Sequence, residues 1–134
     1  MSGALQSDGK IVVAGFVQPI GVADFNSFVA RFNPNGSSDP TFGNGGIVII
    51  DFATSVAEGF QNVAIQTDGK IVVTGNVPAS GPPNDTDMVT VRFNPNGSQD
   101  PTFGSGGVVI TDFAGGADTA LGLLIQPDQK IVIA

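Results

Sequence analysis

There is no cysteine, histidine, tryptophan or tyrosine among these 134 residues. Without cysteine there is no disulfide framework and no thiolate chemistry, a lack compatible with an extracellular or a cytosolic site alike. Without histidine or cysteine the usual nucleophile–base pairs are missing, and zinc is excluded on ligand type. Tryptophan and tyrosine would supply the aromatic platforms of a carbohydrate cleft, and neither is present. Cations are scarce too: five Lys and Arg against twelve Asp and Glu give a net charge of −7, which argues against binding DNA, RNA or anionic lipid. No run approaches the roughly eighteen apolar residues of a membrane span, so no membrane insertion is expected. Met1–Lys10 lacks a basic start followed by an apolar stretch, so no signal peptide is expected in this chain. Helix signals are weak: Ser55–Phe60 and Ala117–Leu123 are short and interrupted by glycine.

What is present is repetition. Arg31–Ala53, RFNPNGSSDPTFGNGGIVIIDFA, returns sixty-one residues later at Arg92–Ala114, and the 23-residue copies differ at only four positions. A second block, DGKIVV at Asp8–Val13, recurs at Asp68–Val73 and as DQKIVI at Asp128–Ile133, each time after sixty residues. Repeat units bury their apolar faces against neighbours instead of around a private core. The hydrophobic fraction of 41% excludes a disordered chain, and nineteen Gly with nine Pro indicate the many turns of an all-β protein.

Along the chain, Met1–Leu5 reads as the tail of a strand, followed by an Asp8-Gly9 hairpin and a returning strand over Ile11–Phe16. Gln18–Ala23 is a loop whose counterpart Pro78–Asn84 differs in length by one residue. A strand over Asp24–Phe32 leads into turns built from Asn-Pro, Asn-Gly and Asp-Pro pairs, then a fourth strand over Ile47–Phe52. Gly59–Gln66 opens the next cycle, in which Asp87–Phe93 alternates with Val89, Val91 and Phe93 on one face. The count is about ten strands: two four-strand units plus flanking pieces. The boundaries are 1–58 for a first repeat truncated at its start, 59–118 for the second and 119–134 for a partial third.

The charged residues obey the repeat. Lys10, Lys70 and Lys130 form one set, Arg31 and Arg92 another. Acids pair as Asp8/Asp68/Asp128, Asp24/Asp85, Asp39/Asp100, Asp51/Asp112 and Glu58/Asp118; only Asp87 lacks a charged counterpart, Asn26 standing in its place. A catalytic site usually needs an asymmetric constellation, so residues recurring in every unit read as holding the unit together. Asp39 with Asp51, or Asp100 with Asp112, could face each other as acid and base. However, Asp39 precedes Pro40 in a turn, where its side chain bonds nearby amides. No enzyme is expected. Asn33-x-Asn35-Gly36-Ser37-x-Asp39 offers oxygens at alternate positions as calcium loops do, but its Gly is fourth where the loop wants it sixth, and a turn is the preferred reading. No cofactor is expected beyond that calcium alternative. Gly43–Gly46 and Gly104–Gly107 lack the Lys-Ser/Thr and helix of a phosphate cradle and read as turns into the fourth strand. Asn35, Asn84 and Asn96 match the N-glycosylation pattern, Asn84 being the best placed. Phe42 is expected to plug its loop onto the sheet, and the repeat-locked pairs Phe32/Phe93, Phe42/Phe103 and Phe52/Phe113 also allow a ligand-binding stripe. Phe32/Phe93 and Phe52/Phe113 are expected in inter-blade core.

A four-strand unit of about sixty residues suggests a β-propeller blade. DGKIVVAG, then RFNPNGSxDPTFGxGG, then a strand ending in DFA closely resembles the delta-60 repeat. That resemblance implies β-propeller-like tandem arrays in bacterial secreted and cell-surface proteins, hence an extracellular or cell-surface location. It covers nearly the whole chain. Two departures stand out. Gln129 replaces the glycine of the third hairpin, at a cost of about 1 kcal/mol if φ is positive. And two and a fraction blades fall short of the roughly four to eight of a closed ring. The expected protein is a non-catalytic, self-assembling structural module. Its partner would be itself, in a ring or fibre, or further repeats of a longer chain. The alternative is a propeller recognising a glycan or protein through the variable loops Gln18–Ala23 and Pro78–Asp85.

Overall fold

The computed structural model describes residues 1–21, 25–52, 58–79, 85–113 and 115–134. Ten strands follow in chain order: β1 Ser2–Leu5, β2 Ile11–Val17, β3 Asn26–Phe32, β4 Ile47–Ile50, β5 Gly59–Ile65, β6 Ile71–Pro78, β7 Thr86–Phe93, β8 Val108–Thr111, β9 Leu123–Ile125 and β10 Ile131–Ile133. They form two four-stranded antiparallel sheets, each in sequence order, and a β9–β10 pair. The three sheets follow one another without closing into a ring. The all-β, blade-like architecture expected from the repeats is what the chain adopts. Among the described residues there is no helix, and none long and apolar enough to cross a membrane. Ala117–Leu123 is irregular and its last residue opens β9, while of Ser55–Phe60 the first three residues lie outside the described residues and the last two open strand β5. Asp24, Asn84, the end of the first variable loop and most of the second lie outside them as well.

The strands form where β-branched residues alternate, and they stop at glycine-bearing turns. In the first hairpin Gln6 and Lys10 are the last bonded pair and Gly9 donates back to the Gln6 carbonyl. This is a three-residue loop: a β-turn followed by a left-handed residue, Gly9 at φ 83°. It is one residue longer than the tightest Asp-Gly hairpin, because Asp8 turns its carboxylate onto the Lys10 amide. The third hairpin makes the same loop despite its substitution, with Gln129 at φ 68°. Its side chain explains the exception: Gln129 Oε1 accepts from Thr67 N at 3.0 Å, and its carbonyl accepts from Gln66 Nε2 at 3.0 Å. A residue with strained backbone thus ties the β9–β10 hairpin to the second blade.

The principal core lies between the two complete blades. Val12, Ala14 and Val29 of the first sheet pack with Phe60, Val63, Ile71, Val73, Val89, Val91 and Phe93 of the second, and Phe42 joins them from its loop. Strand β5 lies against β1 and β2, so the second blade rests on the first. Each fully buried Phe in this layer contributes about 2–3 kcal/mol by removal of apolar surface from water. Neither sheet could bury this face alone.

Candidate functional site

The recurring charges converge. In the first sheet Val12 pairs with Arg31, and Ile11 with Phe32, which places Lys10 beside Arg31 at the end of the strand pair. The turn after β3 then folds back, Asp39 N donating to the Arg31 carbonyl at 2.9 Å. Asp39 Oδ2 therefore receives Arg31 Nε at 2.8 Å and Lys10 Nζ at 3.0 Å. Its Oδ1 accepts from Thr41 N at 3.0 Å and Thr41 Oγ1 at 2.7 Å. The guanidinium also lies 4.8 Å from the centre of the Phe42 ring, a cation–π contact. The Thr41 hydroxyl foremost, then its amide, Lys10 and Arg31, hold the Asp39 carboxyl well below the usual carboxylate range, against the opposing effect of burial. A buried carboxylate with both oxygens satisfied is a fastener for the turn.

The second blade repeats this node. Asp100 Oδ2 meets Arg92 Nε at 2.8 Å and Lys70 Nζ at 3.2 Å, and Thr102 caps Oδ1 through its amide and hydroxyl. Arg92 lies 4.7 Å from the Phe103 ring centre, and the carboxyl is again held low, chiefly by Thr102. The third unit has only the hairpin part: Lys130 pairs with Asp128 at 2.9 Å, at the place where Lys10–Asp8 and Lys70–Asp68 sit in the others.

The two blades meet through the same turn motif. Arg31 Nη1 donates to the Pro95 carbonyl at 2.6 Å, and Gly43 N to the Asn96 carbonyl at 2.9 Å. Gly97 is required there, since a Cβ would stand 2.8 Å from Gly43 N and 3.1 Å from Phe42 and Val48 side-chain atoms. A cleft of about 600 Å³ opens beside this seam, lined by Asn44, Ile47 and Ile49 on one side and Asn96 and Ser98 on the other. That seam, with donors on one blade and turn carbonyls on the next, was not legible in the sequence. The only signal for it is the sameness of the two turns.

Other candidates fall as follows. Asp51 is exposed just after β4, and Asp112 is exposed with Oδ1 accepting from Gly115 N. Ile50 pairs with Ser27, so Asp51, one step further, falls opposite Asn26, five residues or about 17 Å along β3 from Arg31, the residue that holds Asp39. The possible carboxylate pairs do not converge. In the calcium-like stretch, Asn35 Oδ1 accepts from Ser37 N and Oγ, Asn33 Nδ2 donates to Ser37 Oγ and the Ser38 carbonyl, and Asp39 faces the cations. Those oxygens serve the turn. Phe42 is buried in the core from its loop, and Phe52 packs edge-on against Phe60 of the next blade at 6.1 Å. Phe113 does not repeat this and is 62% exposed, because Ala120 replaces Phe60 in the third unit and leaves no ring to cover it.

Asp87, the unmatched acid, forms a cluster that pattern matching passed over. Its carboxylate, Asp112 and Asp118 offer oxygens within 4.8 Å of one another. Burial first, then the neighbouring acids, pushes the Asp87 carboxyl up. Asp118 Oδ2 accepts from Phe113 N, and Asp112 Oδ1 from Gly115 N. In the first blade the equivalent place holds Asn26 and Glu58, and Glu58 is spent on the Ser27 and Phe52 amides. These three carboxylates are the residues on which a cation could bind.

Two stacked four-stranded antiparallel sheets, each with an internal ion-pair node and a turn that docks on its neighbour, define an open run of β-propeller blades. The family described as domain of unknown function (DUF5122) beta-propeller matches residues 6–42 and 66–103, more than half of the chain, and the chain belongs to it. Each matched span runs from the hairpin through the node to its plug phenylalanine. No curated protein matches the chain.

Proposed function

We propose that this chain is a non-catalytic structural module of the delta-60 type that self-associates through its blade faces into a ring or fibre. Its setting would be an extracellular or cell-surface assembly. The observation carrying this reading is the seam between the two complete blades, where the apolar face of one sheet is buried only by the next. Among the described residues β10 pairs only with β9, and Leu121 and Leu124 in and before that hairpin are exposed, as is Phe113 after β8. An open strand edge next to exposed apolar side chains favours association. The two nodes recur with the repeat and bind their own carboxylates internally, which supports a fastening role; no cofactor and no nucleic acid enters the proposal. The test is light scattering on the purified chain across a concentration series, with negative-stain images of the same sample. A discrete oligomer or filaments are expected. A monomer throughout the series would overturn the reading.

A further inference from the structure

We propose that the cleft between the first two hairpins is a binding site for a primary carboxamide, such as the side-chain amide of a glutamine. This is a function separate from the self-association proposed above. The template for it lies inside the chain, one repeat further on. There the second and third hairpins are joined by Gln129, whose Oε1 accepts from Thr67 N and whose carbonyl accepts from Gln66 Nε2, both at 3.0 Å. In the preceding pair of hairpins the corresponding residues are Gly69, Ser7 and Gln6. Glycine has no side chain to reach across. Among the described residues Ser7 N meets no acceptor, and Gln6 makes no bond to the Gly69 carbonyl. Gln6 Oε1 is buried and meets no donor. A cleft of about 660 Å³ runs between the hairpins here, bordered by Gln6 and Ser7 on one side and Gly69 on the other.

The two unmatched groups are of opposite kinds, a donor at Ser7 N and an acceptor at Gln6 Oε1, on adjacent residues that both line the cleft. A primary carboxamide carries both complements, an oxygen that accepts and an NH2 that donates. A carboxylate has acceptors only, so it would serve Ser7 N and leave Gln6 Oε1 without a donor. A buried acceptor left unmatched is costly, so the site selects the amide over the acid. The cleft falls in the roughly 300–1,000 Å³ range of small-molecule sites. Asp8, Lys10 and Asp68 also border it. Their charges of both signs suit the polar groups that accompany a glutamine, whether its own ammonium and carboxylate or the backbone of a peptide.

The test is an NMR titration of the isotope-labelled full-length chain with L-glutamine, N-acetyl-glutamine methylamide and L-glutamate. The amides are expected to shift the Ser7 backbone and Gln6 side-chain signals, with glutamate about tenfold weaker or more. Tighter binding of free glutamine assigns the site to the amino acid, and tighter binding of the blocked form assigns it to a peptide side chain. Two variants sharpen the result. Ser7→Pro removes the donor, and the third hairpin makes the same turn with Pro127 at that place. Gly69→Gln supplies an internal occupant: a Cβ at Gly69 would stand 3.4 Å from Pro95, an ordinary contact, and Gln129 already adopts the positive φ the position requires. Each variant should weaken glutamine binding by about tenfold or more. Gly69→Gln should also slow hydrogen exchange at Ser7 N without any ligand. No shift of these groups with either amide, equal affinity for glutamate, or undiminished binding by Ser7→Pro would overturn the proposal. Self-association is read separately by light scattering and stands or falls on its own.

Discussion

In the first blade Arg31 gives Nη1 to the carbonyl of Pro95 on the next blade, and its side chain is 7% exposed. In the second, Arg92 keeps the same aspartate, threonine and phenylalanine partners at nearly the same distances, yet is 18% exposed. The node is thus a local object, complete within each blade. Its burial is not. Burial comes from the turn of the following blade, so one sequence motif has two environments and two energetic weights.

That contrast can be broken most sharply at the plug phenylalanines. Phe42 is fully buried under the second blade, whereas Phe103 is only partly covered. Phe42→Ala should cost about 3–5 kcal/mol and Phe103→Ala about half as much, read as shifts in urea midpoint. Equal losses would show that the seam adds nothing to the packing of Phe42. The glycines come next. Gly97→Ala should cost about 2–4 kcal/mol, since it combines a left-handed backbone with overpacking against Gly43 and Phe42. Gly36→Ala, in the same turn with open space around it, should cost about 1 kcal/mol.

The smallest effect is the acid response, which sharpens what the nodes share. Both Asp39 and Asp100 have carboxyls held low by their hydroxyl, amide and cationic partners. A depressed carboxyl stabilises the fold fully above its unfolded value of about 3.9, and the contribution is lost as pH falls below that. Stability should therefore be flat near neutrality and drop below about pH 4. Asp39→Asn combined with Asp100→Asn should flatten most of that drop. Asp87, whose carboxyl is raised, acts in the opposite direction. An acid profile unchanged in the double variant would mean that the drop arises elsewhere.

Much of this was legible because the repeat is nearly exact. An offset of sixty to sixty-one residues aligned strand with strand, put every cation in register and marked the node residues before any contact was known. Gln129 was visible as a departure, but its reason was not, because Thr67 and Gln66 lie some sixty residues away in sequence. Phe113 was misplaced because alignment assigns equal burial to equal positions, and its neighbour is Ala120 where the first copy has Phe60. The Asp87 cluster escaped for the opposite reason. A method that weights recurrence gives no weight to the one acid that does not recur.

The chain's own residues determined the strands, the hairpin loops and the node, since each depends on neighbours within a few residues or on a strand partner set by register. Glycine at the left-handed positions and Asp-Pro-Thr after the turn suffice for that. Tertiary structure alone decided which node is roofed, which glycine is jammed and which carbonyls face donors. Those depend on how one blade lies on the next, and two identical turns in sequence become different objects once only one of them has a neighbour.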